Sequence, residues 1–502
     1  MMRKPEIIFA VFLALCIFAC SGKKEPYVLA GKVVNTDADS LFIQLPVDGK
    51  FFYRVNSVKV PIDNEGNFSA TIDQETSGFT SISFPKTRGS IRTWIEPGYS
   101  DTVFIDFEDF SKLAFTGDHA DANSLLNNFE RIPYFHAFGG KDEKYQKDSV
   151  AQRVYDQVMD LNEKELVEID GLKVKDKITD SFAKAMAMES DLHWKSVFAS
   201  ATWRHYYFKE QLKRKSPYND EWKELYLKMF DETDLNNPEY LVSNYYRTFA
   251  EDYMNLYPRV AGIEDQPDTT LSQDERIRAY HQDRIDNIRE KLSGENEELM
   301  WSFYLYNAAI QKQYEKVILD SYEELKYNYP ETLYDPVLKE HIDPIRAYHT
   351  KLEQPMSDKI IMIENADEYT TWEEMVEPYK GEVLYVDLWA TWCGPCKDEF
   401  EHKEGLYEFL DGKPIKILYV SSDRDEAEGK WKEMVNFYGL EGVNMRISQE
   451  LFWKIWKDML GSNTAAIPRY IIVDKEGNMI VKEAARPSEG QKLYDQLASY
   501  LE

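Results

Sequence analysis

At 502 residues the chain exceeds one typical domain of roughly 100–200 residues, and 43% hydrophobic residues are enough for real cores. A formal net charge of −29 leaves no basic footprint, which excludes electrostatic capture of nucleic acid and favours solubility. Aromatic residues reach 14%, with 33 tyrosines, so ring packing in cores and interfaces is expected along the whole chain.

Arg3 and Lys4 precede an apolar run, Ile7–Phe18, shorter than the about 20 residues that cross a bilayer. Ala19 and Cys20 follow it. The pattern resembles a bacterial lipoprotein signal, which implies cleavage of residues 1–19, lipidation of Cys20 and a tether over 20–26. An ordinary secretory signal with an incidental cysteine is the alternative. Of the four cysteines, Cys16 leaves with the signal and Cys20 takes the lipid, so only Cys393 and Cys396 remain. A chain so poor in cysteine does not use disulfides as a scaffold, and the remaining pair is expected to work rather than brace.

Residues 27–117 read as a β-rich domain. Tyr27–Val34, Ser40–Leu45, Asn67–Ile72 and Thr102–Phe107 are short alternating or β-branched runs, and turn signals at Asp48-Gly49, Asn64-Glu65-Gly66 and Pro97-Gly98 separate them. A small sandwich or barrel is expected. Residues 118–350 turn charged, aromatic and helical. Apolar spacing predicts helices over Asp148–Glu168, Ser181–Gln211, Asp220–Phe230, Asn237–Leu256, Asp274–Leu292, Glu297–Gln313 and Lys316–Leu325, with Pro330, Pro336 and Pro344 closing the region. His193, His205, His281 and His341 show no metal-ligand spacing, and no metal is expected.

Lys351–Pro355 reads as the last linker, and residues 355–502 alternate strand with helix. Val383–Leu388 is a buried strand leading to a helix over Lys397–Leu410. Ile415–Val420 is a second buried strand. Asp425–Tyr438, stopped by Gly439, and Leu451–Leu460 are helices. Arg469–Val473 and Met479–Lys482 flank a hairpin turn, and Gln491–Leu501 closes the chain. This order implies a mixed sheet with flanking helices, so the chain as a whole is expected to be multi-domain: all-β, then α-helical, then α/β.

Trp392-Cys393-Gly394-Pro395-Cys396 falls where the buried strand ends and the helix begins. A cysteine in the first turn of a helix faces partial positive charge, which favours the thiolate. Two intervening residues let the sulfurs close into a small ring, the chemistry of thiol–disulfide exchange. A zinc site needs four ligands, and no second cysteine pair exists in the mature chain. Asp387 is a lone acid inside the apolar strand, where burial would raise its pKa towards that of a working base. Glu399 follows Cys396 by one helical turn and is either a second acid of the site or a surface charge.

Val386-Asp387-Leu388-Trp389-Ala390-Thr391-Trp392-Cys393-Gly394-Pro395-Cys396 resembles the active-site segment of thioredoxins and of TlpA/ResA-like envelope oxidoreductases, and Ala466-Ile467-Pro468 resembles their cis-proline loop. The resemblance covers residues 355–502 and implies a thioredoxin fold there. It implies that Cys393 is the exposed nucleophile, that Cys396 resolves the mixed disulfide, that Asp387 and Glu399 move protons, and that Trp392, Ile467 and Pro468 meet the substrate. These relatives usually place a proline where Glu401 stands, which leaves the geometry of this helix open. The turns Asn64-Glu65-Gly66-Asn67-Phe68 and Glu96-Pro97-Gly98 also resemble a β domain of unknown function found ahead of thioredoxin-like modules in envelope lipoproteins.

The expectation is a lipid-anchored thiol–disulfide oxidoreductase of the bacterial cell envelope, facing the periplasm and needing no cofactor. Its partners would be oxidised extracytoplasmic proteins and a membrane thiol donor. Gly-Pro between the cysteines matches the reducing thioredoxin couple, about −270 mV, so a reductase is expected, with isomerase next. The rival reading is a binding or scaffold lipoprotein whose main function lies in its first 350 residues.

Overall fold

The computed structural model describes residues 25–50, 56–85, 90–129, 143–263 and 271–501. The signal segment and Cys20 lie outside the described residues. The chain divides into two compact units. One takes Met1–Pro133, Val158–Trp194 and Val242–Asn244, and the other Tyr134–Gln157, Lys195–Leu241 and Tyr245–Glu502. The helical stretch of the sequence is thus shared between them.

The first unit holds two four-stranded sheets. One has the order β4-β1-β7-β8, from Asn67–Ile72, Tyr27–Val34, Ser100–Asp106 and Ala114–Gly117. The other has the order β3-β2-β5-β6, from Ser57–Pro61, Ser40–Gln44, Gly78–Ser83 and Ser90–Ile95. β1 runs antiparallel to β4 and parallel to β7. Alternation sends Leu29, Val33, Leu41, Ile43, Val103 and Ile105 into one core between the sheets, the architecture of a sandwich. Gly31 is required at its centre, because a Cβ there would meet the Phe68 ring and the Val103 carbonyl at 2.5 Å.

The outer face of β5 and β6 carries Phe79 and Trp94, and these pack on Leu125, Leu126, Ile169, Phe182 and Met186. β6 ends its sheet, but its free edge is paired. The Trp94 N–H donates to Asn123 Oδ1 (2.7 Å) and the Arg92 N–H to Asn127 Oδ1 (3.2 Å), while Asn127 Nδ2 donates to the Arg92 carbonyl (2.7 Å). Both asparagines lie on the helix Ala120–Asn128. Glu189 is fully buried and accepts from the Arg92 guanidinium, the Ser243 hydroxyl (2.6 Å) and the Asn244 N–H (2.9 Å).

In the second unit six strands make one mixed sheet of order β14-β13-β10-β11-β12-β9. These are β9 Ile360–Ile363, β10 Val383–Trp389, β11 Ile415–Ser421, β12 Gly442–Arg446, β13 Arg469–Val473 and β14 Met479–Val481. β9 to β12 pair in parallel, and β13 joins β10 antiparallel. Leu384, Val386 and Leu388 face one core with Leu418, Val420, Ile471, Met375 and Trp456. The other face of β10 carries Tyr385, Asp387 and Trp389.

The structure corrects the sequence reading in several places. Pro336 and Pro344 do not close the helical region but belong to a helix, Asp335–Leu352. Pro336 sits in its first turn, where the missing N–H costs nothing. Leu338, Ile342, Ile345 and Tyr348 bury one stripe, while Pro344 and Glu340 both face solvent, so water can serve the Glu340 carbonyl that Pro344 leaves without a donor. The expected helix Lys397–Leu410 is broken into Gly394–Glu399, a 3₁₀ turn Phe400–His402 and Lys403–Leu410. The Phe400 ring is held between Trp389 (5.2 Å) and Tyr438 (5.1 Å), which anchors the chain at the break. Among the described residues, no helix is long and apolar enough to cross a membrane.

One buried cluster makes the first unit sensitive to pH. His119 lies between Asp101 (2.9 Å) and Glu96 (3.5 Å), and the Tyr27 hydroxyl also donates to Asp101 (2.7 Å). Burial opposes the charged imidazole, but hydrogen bonds to Asp101 and Glu96 outweigh it and raise its pKa to about 9. Burial likewise opposes the Glu96 carboxylate, and donors from His119, Ser181, Trp94 and Thr179 outweigh it and lower its pKa to about 2. The His119 contribution to stability is complete below the unfolded value near 6.5 and is lost as pH rises through about 9. The Glu96 contribution is complete above the unfolded value near 4.5 and is lost as pH falls through about 2. Hydrogen exchange of β1 and β7, corrected for intrinsic rate, should therefore slow least at pH 9.5 and most near pH 5–6, and His119→Gln should remove the alkaline limb.

Candidate active site

β10 and β11 are parallel, so their C-terminal ends lie side by side, and the site forms there. Past Trp389 the chain turns through Ala390, Thr391 and Trp392. The turn is held by Asp423, just beyond β11. Asp423 accepts from the Thr391 N–H (2.9 Å), the Thr391 hydroxyl (2.8 Å) and the Ser421 hydroxyl (2.7 Å). Burial pushes the Asp423 carboxyl up, against these hydrogen bonds. Cys393 then caps the helix Gly394–Glu399, its sulfur accepting from the Cys396 N–H (3.2 Å).

Cys393 and Cys396 are joined as a disulfide, with their Cα atoms 5.4 Å apart. Cys396 is fully buried, and Cys393 is 4% exposed rather than the open residue expected from sequence, because closure of the ring ties its sulfur to the buried Cys396. The open surface beside the pair belongs to Trp392, which is 63% exposed. The Ile467–Pro468 peptide bond is cis and leads into β13.

Asp387 is buried, in register with Tyr419 on one side and Tyr470 on the other. Its Oδ1 has no hydrogen-bond partner. Burial, reinforced by the charge of Glu399, raises its pKa well above the usual carboxylate range. Glu399 is not a surface charge. It is 7% exposed and accepts from the N–H and the hydroxyl of Ser488 (3.0 Å each), with the Arg486 guanidinium at 3.7 Å.

Sequence reasoning missed two residues of this site and one of its walls. Asp423 was legible as an acid at the end of a parallel strand, the place where ligand crevices open. Lys397 carried no such signal. It is fully buried beside Cys396, donates to the Lys312 carbonyl (2.7 Å), and has its pKa lowered to about 7 by burial first and the charge of Lys430 next. Lys312 in return binds Asp398 (2.6 Å) and Glu401 (3.2 Å), so a loop of the helical segment is tied to the cysteine helix by both its backbone and its side chain. A cleft of about 940 Å³ lies alongside, lined by Thr391, Trp392 and Ile467 and, across from them in sequence, by Arg276, Ile277 and Tyr280 of the helix Gln273–Lys291. No group of three side chains able to hold a metal occurs among the described residues.

Comparison with known proteins places this geometry. Residues 373–497 match the Redoxin family. Over 123 residues the chain is 27% identical to the thiol-disulfide oxidoreductase ResA of Bacillus thuringiensis, a match covering 24% of this chain and 63% of that protein. It is 28% identical over 109 residues to the thiol:disulfide interchange protein HelX of Rhodobacter capsulatus, covering 22% and 56%. The chain therefore spans less than two thirds of the length of these curated relatives. Among solved structures, the thioredoxin domain of a thiol-disulfide oxidoreductase from Bacteroides vulgatus is 27% identical, covering 25% of this chain and 84% of that one, with a TM-score of 0.21. The C-terminal region of this chain is a Redoxin domain with a thioredoxin-like fold, related to the ResA-type thiol–disulfide oxidoreductases.

Proposed function

We propose that this chain is a lipid-anchored thiol–disulfide reductase that acts on oxidised proteins outside the cytoplasm. The observation that carries the reading is the Cys393–Cys396 pair, closed as a disulfide at a strand-to-helix corner next to exposed Trp392. The relatives' names, oxidoreductase and interchange protein, support the same chemistry.

The disulfide state is the product side of the cycle. A dithiol donor at the membrane returns it to two thiols. The Cys393 thiolate then attacks a substrate disulfide, forming a mixed disulfide and expelling the substrate's second sulfur as a thiolate, which takes a proton from water. Asp387 accepts the Cys396 proton as that sulfur attacks Cys393. The Cys393–Cys396 bond forms, and the substrate's remaining sulfur leaves with a proton. Two electrons pass from the dithiol to the substrate. Pro468 contributes no N–H, and the backbone of Ala465–Ile467, which makes no backbone hydrogen bond among the described residues, is offered to an extended substrate. Glu399, braced by Ser488, shares the buried face with Asp387 and raises its basicity.

Supplied with dithiothreitol, the full chain should precipitate insulin faster than the donor alone, and Cys393→Ser should abolish the gain. Cys396→Ser should instead accumulate a mixed disulfide visible on a non-reducing gel. If both variants match the wild type, the dithiol is not the reactive centre.

Asp387→Asn should lower turnover about 100-fold, the smaller end of general-base effects. It should also stabilise the fold at alkaline pH. A carboxyl whose folded pKa is raised stabilises fully below its unfolded value of 3.8 and loses that contribution as pH rises through the folded value. The melting temperature of Asp387→Asn should therefore exceed that of the wild type at pH 9 and match it at pH 4.

The anchoring part of the reading has its own check. Mass spectrometry of the membrane fraction should find the mature protein beginning at a diacylated Cys20, and an unmodified N-terminus elsewhere defeats the anchor.

A further inference from the structure

The cleft beside the cysteines has a wall that the Redoxin match does not contain. Arg276, Ile277 and Tyr280 recur at helical spacing on Gln273–Lys291 and line the same space as Trp392 and Ile467. Three of the lining residues, Tyr280, Trp392 and Trp453, are 55%, 63% and 47% exposed, so large aromatic surface is concentrated around one opening. The helix itself is fixed. A Ser272–Glu275 capping box starts it, Ile285 and Ile288 are buried, and His281 Nδ1 meets the Tyr304 hydroxyl at 2.8 Å.

The charges of the cleft are only partly paired. Lys430 is paired with Glu315 (3.6 Å) and Asp423 is taken up by the Thr391 turn. Arg276 and Arg424 meet no carboxylate among the described residues, and Asp423 and Glu426 are the lining acids that meet no cation there. The lining thus carries as many basic as acidic side chains, and on a chain of net charge −29 it still leaves two guanidiniums without an acid partner.

We infer that the helix Gln273–Lys291 is the specificity wall of the dithiol site. It selects an extended oxidised polypeptide segment that runs along Ala465–Ile467, seats an apolar or aromatic side chain among Ile277, Tyr280 and Trp392, and brings a carboxylate to Arg276 and Arg424. The inference rests on the dithiol reading above and adds the substrate class to it.

The test uses the reduced full chain and three disulfides: a peptide disulfide flanked by Phe and Glu, the same peptide flanked by Ala and Lys, and bis(2-hydroxyethyl) disulfide. Second-order rate constants are read from the change in tryptophan fluorescence. The wild type should prefer the Phe/Glu peptide. In Tyr280→Ala the rate on that peptide relative to the small disulfide should fall about tenfold, the effect of losing one aromatic anchor. Arg276→Glu, at an exposed position, should shift the preference towards the Ala/Lys peptide. Wild-type ratios in both variants, or no preference between the peptides in the wild type, overturn the inference while leaving the dithiol chemistry standing. A wild type that reduces none of the three defeats the dithiol reading and this inference with it.

Discussion

The carboxylate of Asp423 sets the position of the outer sulfur. Between the end of β10 and the start of the cysteine helix the chain has only a short turn, and Asp423 binds both the amide and the hydroxyl of Thr391 within it. It can do so because β10 and β11 run in parallel register and finish at the same level. The Ser422 N–H adds a bond to the Trp389 carbonyl (3.0 Å). Preorganisation of the reactive corner therefore comes from the strand next door rather than from the Cys-X-X-Cys segment itself.

The two faces of β10 do different work. Leu384, Val386 and Leu388 enter an apolar core, whereas Tyr385, Asp387 and Trp389 face the cysteine helix side, with Tyr385 stacked on Tyr470 (5.3 Å). An unpaired carboxyl at the centre of that face opposes stability, and the apolar face offsets it. The same β10 thus carries the scaffold and the proton acceptor, separated only by the alternation of the strand.

Much of this was legible in the sequence where local pattern decides. β1, β4 and β13 follow alternation or branched runs to their last residues, and the Cys-Gly-Pro-Cys corner and the cis-proline loop were named by their motifs. What escaped depends on distant partners. β6 reads as polar because its Arg92 is charged, yet that charge is neutralised by the buried Glu189. β12 was missed because Asn444 and Arg446 interrupt its apolar run. In the fold, Asn444 bonds to the Leu440 carbonyl (2.8 Å), and Arg446 pairs with Asp425 (2.6 Å). Lys397 looks like any helix-surface lysine until the Lys312 carbonyl arrives to accept its hydrogen bond. Local propensity cannot report contacts of that range.

The helix Ala120–Asn128 closes the β6 edge with amide side chains rather than with another backbone. A strand added there would itself present a fresh row of donors and acceptors, and the sheet could go on growing. Asn123 and Asn127 bind the Arg92 and Trp94 amides and the Arg92 carbonyl, and they present no strand backbone of their own. The sandwich is therefore terminated on that side, which denies a second polypeptide the template it would need to aggregate by strand addition.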